Sequence, residues 1–166
     1  SLRLRTDAQD RDRYGRLLAH AYLPDGRNLS AELLRAGLGE LLVLAPNVWQ
    51  ADCLAEAEAR ARRAGRGVWA LPSHRVQSAA RVAVWQPRFA VVRGRITAVK
   101  PDRRGTELML DERVTLWIPH AVRRTLPPPA LTARTGQTVT ARGMLSPRGT
   151  GASIVIRHRA TLEWVP

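Results

Sequence analysis

Arg16 stands in the run Asp12-Arg13-Tyr14-Gly15-Arg16-Leu17-Leu18-Ala19, and arginine is a residue type able to do chemistry on an anion. A guanidinium offers a planar fork of donors to a phosphoryl oxygen and stays charged at any working pH. A fixed cation of this kind stabilises the charge that builds up in phosphoryl transfer. The plainer reading is a solvated arginine on an edge strand, one of 26 in the chain. Asp7, Asp10 and Asp12 are the nearby carboxylates. They fall in a charged stretch, 6–13, where aspartates serve as turn formers, whereas a hard cation needs several converging oxygens. Cys53 is the single cysteine, which excludes an intrachain disulfide and a cysteine zinc cluster. It sits among alanines beside Leu54 and reads as a small buried thiol. His20, His74, His120 and His158 lie far apart without ligand spacing. Nothing suggests a serine or cysteine hydrolase triad.

The elements around Arg16 follow from pattern. Leu2-Arg3-Leu4-Arg5 alternates with period two, and 17–23 is a second apolar run. The charged stretch 6–13 is expected to connect them as a hairpin, and Asp25-Gly26 ends the second strand. A first helix begins at Asn28 or Ser30, carries Leu29, Leu33 and Leu34 on its apolar stripe, and is terminated or bent by Gly37 and Gly39. A second helix has Asn47 as its candidate cap and stops at Gly65. The pairs Glu56/Arg60 and Glu58/Arg62 fall at the spacing of a solvated helix face. Trp69 then anchors the helix end by packing.

This order resembles the later part of a thermonuclease (staphylococcal-nuclease-like) domain. There an Asp-basic-Tyr-Gly-Arg-x-Leu-Ala strand precedes an Asp-Gly turn and two helices, the last ending in Gly-x-Trp. The resemblance covers about 60 residues, from Asp10 to Trp69. It implies that Arg16 contacts the phosphate being hydrolysed, with Arg13 and Tyr14 as neighbours on a phosphate. It also implies a calcium cofactor, held in the family by a pair of aspartates that lie upstream with a second arginine and a glutamate base. Those roles are not carried onto Asp7, Asp10 or Asp12. The loop before the second helix, Leu41-Leu42-Val43-Leu44-Ala45-Pro46-Asn47, lacks the tyrosines found in the family's best-known members. Stacking on a base is lost there. Trp49, just beyond, is the aromatic group that could substitute, with packing at the helix start as the plainer reading.

A linker over 70–80 separates this part from a strand-rich second half, with a boundary near residue 78. Five strands are expected over 89–99, 106–110, 114–118, 137–145 and 153–157, with a short helix over 120–126 stopped by the prolines 127–129. Gly94 lies inside the long first strand, where a barrel needs a sharp bend. That connectivity resembles an OB-type module found behind the nuclease domain in some bacterial thermonuclease-like proteins. The fold class expected is therefore α+β, mainly β. A partial nuclease-type OB barrel (a hairpin plus two helices) over 1–77 precedes a five-stranded OB-fold-like barrel over 78–166.

Charge points to the partner. The formal net charge is +13, and residues 76–166 hold 15 basic and 5 acidic side chains. A polyanion such as DNA or RNA is the natural inference, although an anionic membrane surface fits the sign as well. OB barrels bind single strands with basic grooves and aromatic platforms. Arg93, Arg95, Arg103, Arg104, Trp117, Arg142 and Arg157 are the candidate contacts, with Arg148 and Arg159 beside them. No run is long enough to span a membrane. The chain starts at Ser1, which reads as a fragment or processed product. If an upstream signal segment was removed, export or the periplasm is the compartment to expect. Calcium-dependent phosphodiester hydrolysis is what the resemblance implies for a complete parent, with most catalytic residues absent from this chain. The alternative is a non-catalytic nucleic-acid-binding protein or an interaction scaffold.

Overall fold

The computed structural model describes residues 1–165 and divides into two compact units, Ser1–Leu71 and Pro72–Pro166. In the first unit, β1 (Arg3–Arg11) pairs antiparallel with β2 (Leu17–Tyr22), followed by α1 (Leu29–Ala36) and α2 (Ala51–Arg63). The stretch 6–13 is thus mostly strand rather than hairpin connection. β1 runs on to Arg11, and an irregularity between Thr6 and Arg11 absorbs the mismatch with β2. The reversal is the tight turn Asp12–Arg16, with Gly15 at φ +79°.

Asn28 caps α1, its Oδ1 accepting from the Ala31 N–H at 3.2 Å. Ala31 and Leu34 face α2, packing with Leu54 and Ala57, whereas Leu33 is exposed. Asn47 does not cap α2. The cap position is Gln50, at φ 57° and without a side-chain bond to the helix. Cys53 is exposed, and Glu58 is buried in the helix rather than on a solvated face. Glu56 and Arg60 do form the expected exposed pair, at 2.5 Å. Two glycines bring the helix ends together. Gly37 closes α1 at φ +74°, its carbonyl accepts from the Val68 N–H at 2.9 Å, and Gly67 lies against it at φ +56°. Trp69 is buried just beyond.

In the second unit, β4 (Arg88–Pro101), β5 (Gly105–Leu110), β6 (Val114–Pro119), β7 (Thr138–Arg148) and β8 (Gly151–Val155) form a closed barrel. The order is β4-β5-β6-β8-β7, with β7 returning to β4. β6 and β8 are parallel and the other pairs antiparallel, the arrangement of an OB-like barrel. The short helix α3 (His120–Arg123) lies between β6 and β7. In β6, Val114, Leu116 and Ile118 are fully buried, packed with Leu108, Leu110, Val139 and Ile154, and Thr115 on the opposite face is buried as well. The break in β4 lies between Ile96 and Ala98 rather than at Gly94. Gly94 instead allows close approach, since a Cβ there would meet that of Ala79 at 2.6 Å.

Two strands are additional to the five expected. β3 (Val76–Ser78) adds in parallel to β4 and β9 (Leu162–Val165) adds to β7. Residues 72–77 therefore lie with the second unit, and the stretch read as linker contributes a strand. Proline and serine around it mask its three-residue length, too short for an alternation signal.

The Gly37–Gly67 contact yields a stability test. A Cβ on Gly37 would stand 2.2 Å from the Arg66 carbonyl oxygen. Gly37→Ala should lower the opening free energy of α1 and α2 amides by about 2 kcal/mol or more, read by native-state hydrogen exchange.

Candidate functional site

A cleft of about 660 Å³ opens beside Arg16 in the first unit. One wall is the β1–β2 turn and adjacent strand residues, with Asp12, Arg13, Tyr14, Arg16 and His20. The other is the segment Leu41–Ala45 with Asn47 and Trp49. Three side chains fasten that second wall. The Gln9 N–H donates to Asn47 Oδ1 at 2.8 Å, and Asn47 Nδ2 donates back to the Gln9 carbonyl at 2.9 Å. The Trp49 N–H donates to Asp7 Oδ2 at 2.8 Å. The Leu41 N–H donates to the buried Glu58 at 2.6 Å. Asn47 was expected to cap a helix. It is instead the side chain that satisfies one position on the β1 edge, a long-range contact that local capping rules do not reveal.

Arg16 projects at the cleft, with its side chain 74% exposed and that of Asp12 18% exposed. Asp12 builds the turn. Its Oδ1 accepts from the Tyr14 N–H at 2.8 Å and the Arg16 N–H at 3.0 Å. Its Oδ2 accepts from Arg16 Nε at 2.6 Å and lies in an ion pair with Nη2, also at 2.6 Å. Tyr14 lies beside two guanidiniums, with Arg13 at 4.7 Å and Arg16 at 5.3 Å from its ring centre. Arg13 Nη2 donates to the Tyr14 hydroxyl at 2.5 Å. The structure therefore brings Arg13, Tyr14 and Arg16 into one exposed cationic group. Trp49 is engaged in packing: Arg5 lies 3.9 Å from its ring centre and His20 meets it edge-on at 5.0 Å.

Partial desolvation pushes the Asp12 carboxyl up, but the Arg16 hydrogen bond and the two backbone N–H groups outweigh it. The carboxyl therefore sits below the usual aspartate range.

The carboxylates of the cleft do not fit a calcium ion. Among the described residues no group of three or more His, Cys, Asp or Glu converges. The cleft's own carboxylates are Asp7 and Asp12. Asp7 accepts from the Ala8 and Trp49 N–H groups, and Asp12 from its own turn and Arg16. A hard cation needs six or more oxygens, so this donor set offers it no cage. What the arrangement can do is grip an oxyanion.

The candidates on the barrel are split. Trp117 lies on the outer face of β6, opposite Glu107 on β5 and Val155 on β8. Its ring covers Gly105, where a Cβ would meet it at 2.8 Å. Arg103 and Arg104 precede that glycine and are exposed in the β4–β5 turn. Arg148 reaches Glu107 at 2.8 Å. Exposed Arg157 follows Ile156, whose N–H donates to the Trp117 carbonyl at 2.8 Å. Arg93 and Arg95 lie elsewhere, opposite Thr140 and Thr138 on β7, and donate to Thr140 Oγ1 and the Gly136 carbonyl. Arg142 is only 4% exposed and pairs with Glu163 at 3.2 Å, which withdraws it from any open surface. Glu163 belongs to β9, a strand absent from the sequence reading.

A hairpin carrying Tyr-Gly-Arg with two helices closed by a glycine pair defines a nuclease-like unit, followed here by a separate barrel. Residues 2–71 match the family described as Staphylococcal nuclease homologue. The first unit is accordingly a staphylococcal-nuclease-like domain. No curated protein matches the chain.

Titration tests the Asp12–Arg16 pair. A lowered folded-state value means that the stabilisation is present above the usual aspartate range and is lost as pH falls through the lowered one. In carboxyl-detected NMR the Asp12 midpoint should fall below that of an unstructured aspartate, and Arg16→Ala should move it upward.

Proposed function

We propose that the first unit grips the phosphodiester backbone of nucleic acid, as part of a nuclease-family protein, and that Arg16 is its principal phosphate contact. The observation that carries this reading is the exposed Arg16 guanidinium at the mouth of the cleft, on a turn shared with Arg13 and Tyr14. A guanidinium held with part of its fork free binds a phosphate oxygen in a fixed orientation. The Tyr14 hydroxyl accepts from Arg13, which leaves its own hydrogen to donate to a second oxygen. Calcium-dependent hydrolysis, which the family resemblance implies for a complete nuclease, requires a carboxylate cage and a general base that these residues do not assemble. Phosphate binding is accordingly the part of that machinery proposed for these residues.

A second surface on the barrel is favoured by Trp117 with Arg103, Arg104, Arg148 and Arg157 around it. There the aromatic face supplies stacking and the arginines follow the backbone. Arg93 and Arg95 form a separate basic strip on β4, and Arg142 is assigned no contact.

Binding of a labelled single-stranded oligonucleotide, titrated across salt, tests both surfaces. Arg16→Ala should weaken binding and reduce the log–log salt slope by about 0.7, the value for one lost phosphate contact on a single strand. Affinity should not change on adding a chelator. An unchanged slope would remove Arg16 from the interface.

Trp117→Ala should raise Kd by roughly tenfold, the worth of one stacked base, with the salt slope preserved. Equal affinity for wild type and variant would assign Trp117 to packing over Gly105 alone.

A further inference from the structure

We infer that Asp12 is a positioning residue for phosphate recognition: it fixes the Arg16 guanidinium side-on, so that the end-on fork faces the ligand. The inference rests on the phosphate-gripping reading of the first unit.

The two oxygens of Asp12 divide the work. Oδ1 serves the backbone, accepting from the N–H groups of Tyr14 and Arg16. Oδ2 serves the guanidinium, accepting from Nε and pairing with Nη2 at 2.6 Å. A guanidinium has five hydrogens, and this arrangement engages the side bearing Nε while leaving Nη1 and the outer Nη2 hydrogen to form a second fork. The carboxylate is recessed and the guanidinium exposed, so the geometry points the charged end outward from a fixed base. The base is itself braced. The Asp12 N–H donates to the Arg16 carbonyl at 3.0 Å, and Arg11 Nη1 donates to the Gly15 carbonyl at 2.8 Å.

A carboxylate beside a phosphate site has two opposed effects. Its charge repels the ligand, and its hydrogen bonds remove the rotamer freedom that a long arginine otherwise loses on binding. Repulsion is weak at an exposed site in water and salt. Orientation acts on every encounter, because a bidentate contact needs the fork in one plane. Positioning therefore outweighs repulsion here. The lowered Asp12 carboxyl agrees, since the group remains ionised and in place across the neutral and mildly acidic range.

The test uses the full chain and a fluorescein-labelled 12-nucleotide single-stranded DNA of mixed sequence, with Kd measured over a potassium chloride series. Asp12→Asn keeps an oxygen for the two backbone N–H groups and removes the acceptor for Arg16. It is expected to weaken binding although it deletes a negative charge, and to lower the salt slope by about 0.7, as Arg16→Ala does. The Asp12→Asn/Arg16→Ala double variant should lose nothing further. Asp12→Glu, which retains the acceptor and the charge, should hold the slope near wild type, with folding of each variant followed by thermal melts. Tighter binding or an unchanged slope in Asp12→Asn, with Arg16→Ala still lowering it, overturns the proposal and makes Asp12 a competitor or bystander. Equal losses in Asp12→Asn and Asp12→Glu also overturn it, because keeping the charged acceptor would then make no difference. An unchanged slope in Arg16→Ala defeats the phosphate-gripping reading itself, and the positioning role with it.

Discussion

A two-stranded sheet has too little surface to hold a cleft in shape, and this constraint governs the first unit. The solution is polar. Asp7, Asn47 and Glu58 each satisfy a backbone N–H on another segment, at Trp49, Gln9 and Leu41. Buried or edge amides left without partners would cost more than these bonds contribute, so the segment 41–49 is held in register against β1 and α2. The cleft wall is thereby fixed without a third strand. α1 and α2 supply a small apolar contact of Ala31, Leu34, Leu54 and Ala57, and the Gly37–Gly67 contact closes their ends.

The second unit meets the edge problem differently. Its five strands close on one another, and the interior is filled by aliphatic side chains that are fully buried. β3 and β9 then extend β4 and β7 outside the closed ring. A buried arginine organises the connection before β7. Arg134 donates to the carbonyls of Pro127, Pro128 and Pro129 and to Gln137, while Trp164 stacks on its guanidinium at 3.9 Å. In this basic chain, an arginine is as ready to be a structural donor as a surface charge.

Local periodicity made the barrel legible. Val114, Leu116 and Ile118 alternate because β6 has one face against a core, whereas the helix expected over 120–126 is shorter, ending at Arg123 and passing through a turn over 124–126 before the prolines. Arg13, Tyr14 and Arg16 were legible because three residues on one turn must lie close together. What sequence did not reveal is long-range. Asn47 resembles a helix cap and instead pairs with Gln9, 38 residues away. Glu58 has the spacing of a surface ion pair, yet it is buried and accepts from the Leu41 N–H. Cys53 sits among alanines yet faces solvent, since the buried stripe of α2 runs through Leu54, Ala57, Glu58 and Ala61. β3 and β9, of three and four residues, gain their strand character only from the neighbours they extend.

Arginine count therefore says little about which arginines meet a ligand. The second unit carries most of the net charge, yet Arg142 is spent on Glu163 and Arg134 on proline carbonyls. The first unit is nearly balanced in charge, and there Arg16 takes its orientation from a carboxylate. A pair at 2.6 Å subtracts from the net field and adds to local geometry. Long-range attraction scales with net charge and is screened within about 10 Å at ordinary salt. Contact recognition scales with how well a fork is aimed. On the proposed reading, net charge on the barrel would act at long range, and the Asp12–Arg16 pair would act at contact. A mutation that only changes net charge acts on encounter, whereas one that frees the Arg16 fork acts on the bound state.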